Sequence, residues 1–243
     1  MKVVVDAMGG DFAPAEVVRG AVAAAEEYGT PVVLVGKGEV IEQQLKRFHV
    51  ASLPIELVDA PEVIEMDEQP GVAFRKKKKS SINVGLSLLG EGKAQSFVSA
   101  GNSGAVMAGA IFILRNIEGV DRPAIATPLP TPEGKITLID AGANVDCKPE
   151  HLAQFALMGE VYARKILGVE KPRVAILSNG EERMKGNELT KGASRLLEKL
   201  PITYVGNAEG RDLFAGKADV FVCDGFVGNL VLKSLEGLAV AVG

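Results

Sequence analysis

The chain sets an ammonium group and several amides in glycine-rich turns that directly follow apolar runs. The richest example reads VFVCDGFVGNLVLKSLEG, from Val220 to Gly237. Asp224, Gly225 and Gly228 break the apolar run there, and Asn229 and Lys233 follow on an emerging helix. The arrangement recurs in SFVSAGNSGAVMAG from Ser96, ITLIDAGANVD from Ile136 and RVAILSNGEERMKGNELTKG from Arg173. Such turns place backbone N–H groups and polar side chains at the carboxyl end of a strand. Open α/β sheets bind ligands there, and a helix start favours anions. Four polar loops after four apolar runs predict one shared site for a phosphate-like or carbonyl-bearing ligand.

Each loop also has a plainer reading. Gly101, Asn102, Ser103 and Gly104 offer more donors than one helix start needs, which favours a ligand over a tight turn with an N-cap. Asn144 and Asp146, in the loop from Asp140, either orient a ligand or close a turn. Lys185 suits phosphate as a point charge. Asn187, two residues on, caps a helix or faces the ligand. In the MGGDFAP segment, Gly9, Gly10 and Asp11 shape the same site, or Asp11 is a simple helix cap. No GxxxxGK[ST] loop is present, and GKGEVI at Gly36 carries Ile41 where a third glycine belongs, so a dinucleotide fingerprint is rejected. The two histidines, His49 and His151, lie outside these loops, which argues against a Ser–His–Asp triad. Cys223 reads as a small buried residue rather than a nucleophile. The RKKKKSS run from Arg75 cannot put its five cations on one helix face, because successive residues turn by about 100°. Its plain reading is a solvated stretch; in an acidic chain it is also a docking surface for an anionic partner or lipid surface.

The elements that must position these loops alternate in type. Strands are expected at Val3–Ala7, Pro31–Val35, Pro54–Val58, Phe97–Ser99, Val174–Ser178, Ile202–Gly206 and Asp219–Cys223. Helices are expected from Pro14, at Val40–Phe48, Val72–Lys79, Ile82–Leu89, Val106–Leu114, Leu152–Leu167 and Glu188–Lys199. The second pair of these reads as one unit bent at Ser80 and Ser81. Ala124–Pro130 and Lys135–Asp140 form a hairpin pair around Thr131–Gly134. The rhythm predicts an α/β fold in three layers, a mostly parallel sheet with helices on both faces, over a single domain 1–243. A TIM barrel is the weaker alternative, because the hairpin breaks the alternation. No internal repeat stands out.

A net charge of −4 gives no general reason to expect nucleic acid. Two cysteines and no CxxC pair exclude a disulfide framework and a zinc site of that kind, and fit a reduced, cytoplasmic setting. Asp6 interrupts the first apolar run too early for a signal peptide. No stretch reads as the ~18 apolar residues of a membrane span, although contact with a membrane surface stays open.

Taken together, VDAMGGD, VIEMDEQP, SAGNSGAVMAGA, LIDAGANVDCKP, GEERMKGNEL and CDGFVGNLVLKSLEG resemble the bacterial phosphate acyltransferase (PlsX) family of phospholipid synthesis. The resemblance covers essentially the whole chain. It implies a fold similar to isocitrate/isopropylmalate dehydrogenases and phosphotransacetylases. The implied reaction moves a fatty acyl group from acyl carrier protein to inorganic phosphate, with no cofactor and no metal. Acyl phosphate then feeds a membrane glycerol-3-phosphate acyltransferase. The resemblance further implies a homodimer, a cytoplasmic enzyme with peripheral membrane contact, and helices in relatives beyond the point where this chain stops. It puts forward Lys185 and Asn229 as the catalytic pair, with Gly101, Asn102, Ser103, Gly104, Asn144, Asn187, Gly228 and Lys233 as substrate-binding residues. The alternatives are a phosphotransacetylase-like enzyme using acyl-coenzyme A, and a non-catalytic regulator that binds phosphate or acyl groups.

Overall fold

Apolar runs rich in β-branched residues form most of the strands at the expected places, with ends that shift by a residue or two; the strand over Thr203–Ala208 runs through Gly206 instead of stopping at the glycine. The computed structural model describes residues 1–242. It divides into two compact units, Met1–Asn116 and Ile117–Gly243. The first holds four parallel strands, β1 (Val3–Asp6), β2 (Val32–Gly36), β3 (Ile55–Asp59) and β4 (Ser96–Val98), in the order β3-β2-β1-β4. Side chains alternate across this sheet. Val32 and Leu34 pack with Val18, Ala21, Val22 and Ala25 of α1 (Ala15–Tyr28) and Ile41 of α2 (Gly38–Leu45). Val4, Val33 and Val35 face α4 (Ser81–Gly90) instead. The unit is therefore a three-layer α/β sandwich. The expected bent helix is two helices, α3 (Pro70–Lys76) and α4, parted by a turn in which Ser80 caps α4 through the Asn83 N–H. After β4 comes α5 (Ser103–Gly109), which widens into a π-helical turn at Ala110–Leu114.

The second unit carries a five-stranded sheet in the order β5-β6-β9-β7-β8. Its strands are β5 (Ala126–Thr131), β6 (Gly134–Ile139), β7 (Arg173–Leu177), β8 (Thr203–Ala208) and β9 (Val220–Val222). Only β5 runs antiparallel, as the partner of β6 in the expected hairpin. Phe155 and Ala156 of α6 (Pro149–Lys165) and Ala193 and Leu197 of α7 (Glu188–Leu197) cover one face. On the other, Leu138, Ala175, Leu177 and Phe221 meet Leu213 of a 3₁₀ turn and Val227, Val231 and Leu235 of α8 (Gly225–Val242). The parallel-rich α/β architecture expected from the sequence is present, distributed over two sheets. One correction concerns α8. Its 18 residues, with a mean hydropathy of 1.4, are long and apolar enough to cross a membrane by length and composition, and 11% of them are buried. Read in pieces, Asn229, Lys233 and Glu236 hide that run.

Candidate functional site

In the second unit, β6, β9 and β7 are parallel neighbours, so the loops that follow them leave from the same edge of the sheet. Asp140 comes directly after β6 and is fully buried. Its Oδ1 accepts from the N–H groups of Ile125, Gly142 and Ala143 at 3.0, 3.2 and 3.0 Å. Its Oδ2 accepts from the Asn144 N–H at 2.7 Å and from Asn144 Nδ2 at 2.8 Å. Amide donors thus satisfy the buried carboxylate and wrap the loop around it. Asn144 Nδ2 gives its other hydrogen to the Pro123 carbonyl at 2.8 Å, so this nitrogen is committed within the loop.

α8 docks directly on that loop. The Gly225 N–H donates to the Asn144 carbonyl at 2.7 Å. A Cβ at Gly225 would lie 2.8 Å from the Asn144 nitrogen, and one at Gly228 would overlap the Asp140 carbonyl oxygen. Only glycine permits this approach. Asp224 Oδ1 caps the helix by accepting from the Val227 N–H at 2.9 Å. Asn229 is exposed, beside Gly142, where an added Cβ would sit 3.5 Å from the Asn229 Cβ. Lys233 is exposed one turn further along.

The loop after β7 closes the other side. Asn179 Oδ1 accepts from the Gly186 N–H at 2.8 Å, and Asn187 Oδ1 caps α7 by accepting from the Thr190 N–H at 2.9 Å. Lys185 is exposed, and its stem lies over Gly180, where a Cβ would be 2.6 Å from Lys185 Cγ. Between this loop and α8 opens a cavity of about 460 Å³. Ser178, Asn179, Asn187, Thr190 and Asp224 line it together with the aliphatic Leu177, Val227 and Val231. Ser178 Oγ is a buried atom without a hydrogen-bond partner among the described residues. The cavity therefore suits a ligand with a polar head and an apolar body.

Two thiols lie near these loops, Cys223 in the cavity lining and Cys147 against the Asn144 carbonyl, and both are held toward the neutral form. Burial, with the Asp140 and Asp224 carboxylates adding to it, pushes the Cys147 thiol up to about 11. Cys223 is shifted well upward by deeper burial and the same two carboxylates.

The first unit has its own glycine loops, and they meet. Asp6 ends β1, is 1% exposed, and accepts from the Met8 N–H at 3.1 Å and the Ser99 hydroxyl at 2.7 Å. A Cβ at Gly9 would be 2.6 Å from the Gly101 nitrogen, so the loops after β1 and β4 lie in contact. Asn102 caps α5 through its Oδ1, which accepts from the Ala105 N–H at 3.0 Å. Its Nδ2 donates to the carbonyls of Glu65 and Glu68 at 3.2 and 3.1 Å. Ser103 is exposed, and Gly104 packs against Pro70.

The sequence-based candidates thus fall in two sets. Gly101, Asn102, Ser103 and Gly104 belong to the first unit. Asn144, Lys185, Asn187, Gly228, Asn229 and Lys233 belong to the second. Reasoning from motifs missed Asp6, Asp140, Ser178 and Thr190. A signal for the aspartates was present: in each unit an Asp-Ala pair stands at the carboxyl end of an inner strand, just ahead of a glycine turn, at Asp6-Ala7 and Asp140-Ala141.

A family model described as fatty acid synthesis protein matches residues 1–243. The chain belongs to that family. A protein named phosphate acyltransferase from Pelotomaculum thermopropionicum is 57% identical over 242 residues, covering 100% of this chain and 70% of the relative. One of the same name from Citrifermentans bemidjiense is 56% identical over 243 residues, covering 100% and 69%. Among solved structures, a phosphotransacetylase from Streptococcus pyogenes is similar with a TM-score of 0.71 at 20% identity, over 99% of this chain and 82% of the other. At that identity the likeness bears on the fold alone.

Proposed function

We propose that this chain is an acyltransferase that moves a fatty acyl group from acyl carrier protein to inorganic phosphate, giving acyl phosphate. The observation that carries the reading is membership, over all of this chain, of a family whose relatives, at 54–57% identity, are named phosphate acyltransferase. The cavity beside α8 has a mixed polar and aliphatic lining that suits such chemistry; Asn187 is among its lining residues, and Lys185 and Asn229 are not. Phosphate is itself a nucleophile, so the protein has to hold a dianion against a thioester carbonyl and stabilise the oxyanion that develops. Lys185 supplies the positive charge and Asn229 the hydrogen bond to carbonyl or phosphate. Gly101, Asn102, Ser103, Gly104, Asn144, Asn187, Gly228 and Lys233 bind or shape the substrate sites. For Asn102, Asn144 and Gly228 that role is positioning, because their polar or backbone contacts are committed within the fold. The enzyme acts as a homodimer in the cytoplasm, in peripheral contact with the membrane, and hands its product to a membrane glycerol-3-phosphate acyltransferase.

The test is phosphate-dependent loss of acyl thioester, with acyl carrier protein and coenzyme A compared as carriers. Release that needs phosphate and prefers the carrier protein is the expected outcome. Preference for coenzyme A would move the reading to a phosphotransacetylase-like activity. No release with either carrier would leave a binding protein.

A further inference from the structure

The basic run from Arg75 to Lys79 divides in the structure. α3 ends at Lys76, and the turn after it carries Lys77, Lys78 and Lys79. Lys77 points inward, half-buried; its Nζ donates to the Val63 carbonyl at 2.6 Å and pairs with Glu68. Arg75, Lys76, Lys78 and Lys79 are exposed, and among the described residues none of the four is in an ion pair. Two of them stand over aromatic rings. Lys78 Nζ is 5.2 Å from the Phe74 centroid, and Arg75 Cζ is 5.8 Å from that of Phe112. The two rings stack with centroids 5.8 Å apart, and Phe112 is 58% exposed. Between these groups lies a recess of about 330 Å³, with Asn83 and Ser87 in its wall.

The patch is tied to the Gly101–Gly104 loop. Asn102 holds the carbonyls of Glu65 and Glu68 ahead of α3, and Gly104 packs on Pro70 at its start. With 7 residues at 1.5 Å each, α3 carries the cations ~10 Å from that loop.

We propose that the recess framed by Arg75, Lys78 and Phe112 is the docking site for an acidic protein bearing the acyl thioester. This rests on the acyl transfer proposed above. The exposed cations reverse the sign of a chain whose net charge is −4, which favours an acidic partner. The recess takes an apolar anchor against the rings while flanking carboxylates meet the cationic rim. A lipid surface is flat, and would engage Lys76 and Lys79 without using the recess.

The experiment is a calorimetric titration of holo acyl carrier protein into the parent, into Arg75→Glu with Lys78→Glu, and into Phe112→Ala, at low and high salt. Lys77 is left in place, so the turn it braces stays intact; should the double variant melt below the parent, Arg75→Gln with Lys78→Gln replaces it. The parent should bind, and more weakly at high salt. The double variant should lose about tenfold or more in affinity at low salt, and Phe112→Ala should lose affinity at both salts. A double-variant titration indistinguishable from the parent overturns the docking site, and so does a parent that does not bind. Unchanged carrier binding together with lost sedimentation on phosphatidylglycerol vesicles assigns the patch to lipid and equally overturns it. Turnover is measured separately. A parent that binds the carrier through this patch but transfers no acyl group to phosphate refutes the activity and leaves the docking site standing.

Discussion

Gly228 of α8 lies flush against the carbonyl of Asp140, so close that any Cβ there would overlap the oxygen. The contact fixes the helix on the loop after β6, and the next residue, Asn229, is placed beside Gly142 as a result. Gly228→Ala must push the helix away. Overpacking of this kind typically costs ~1–3 kcal/mol. We expect a lower unfolding midpoint together with a loss of turnover, since Asn229 moves with the helix. Calorimetry and an acyl-release assay check both, and parental values in each would sink the close-approach argument.

The partners of Asp140 are N–H groups, so a neutral amide there must turn its own NH₂ toward another donor. An unsatisfied buried group costs roughly 1–3 kcal/mol. Asp140→Asn should therefore unfold at clearly lower urea than the parent. Asp6→Asn should lose less, because the Ser99 hydroxyl that donates to Asp6 can rotate and accept instead. Equal losses in the two variants would contradict this account of the paired aspartates.

These aspartates mark what the sequence concealed. Strands and helices were legible because β-branched runs and the 3.6-residue stripe of α1 depend on local pattern, and the Thr131–Gly134 turn announces its hairpin. At Asn187 the cap was one of two readings left open, and at Asn102 the abundance of donors favoured a ligand, whereas both Oδ1 atoms cap helices. Asp140 was not legible, since its role comes from donors at Ile125 and Asn144 that only folding gathers around it. Lys77 failed for the same reason. Within a run of like residues nothing local distinguishes the one that turns inward to Val63 and Glu68.

Transfer should proceed without a thiol nucleophile. The thiolate is the reactive form of cysteine, and at pH 8 a thiol titrating near 11, as Cys147 does, is ionised to about one part in a thousand. Cys223 is displaced in the same direction. Native protein at pH 8 should resist iodoacetamide, and Cys223→Ala should retain substantial turnover. Mass spectrometry showing an acyl adduct on Cys223 that forms and discharges at the catalytic rate would rule out direct transfer.

His151 makes stability depend on pH. Burial first, then the positive field of Arg122, holds its imidazole below the usual 6.5; Lys148 adds to this, while Asp121 and Glu150 oppose it. Its Nδ1 accepts from the Lys148 N–H at 3.0 Å, a bond that protonation there would remove. The unfolded chain thus binds the proton more readily. The stability contributed is present above pH 6.5 and is lost as pH falls through the lower, folded value. His151→Gln keeps an acceptor at the helix start and should flatten this dependence. Melting midpoints of parent and variant should agree near pH 8 and part as pH falls toward 5, the parent losing more; a constant offset across the range would remove His151 as the source.

Lys185 and Asn229 carry the sharpest expectation. Both are exposed, so neither holds the core, and among the described residues Lys185 has no ion pair. Truncating either to alanine should leave the melting curve within experimental scatter. Loss of a positioned oxyanion donor typically lowers turnover by ~10²–10³-fold. We expect that loss in kcat for Asn229→Ala. For Lys185→Ala, where a point charge offsets the phosphate dianion, the loss should also appear in the Michaelis constant for phosphate. Lys185→Arg keeps the charge but spreads it over a planar fork, so it should recover phosphate affinity better than turnover. Steady-state kinetics with phosphate varied at saturating thioester separates these outcomes. Near-parental turnover in both alanine variants would remove this pair from the chemistry.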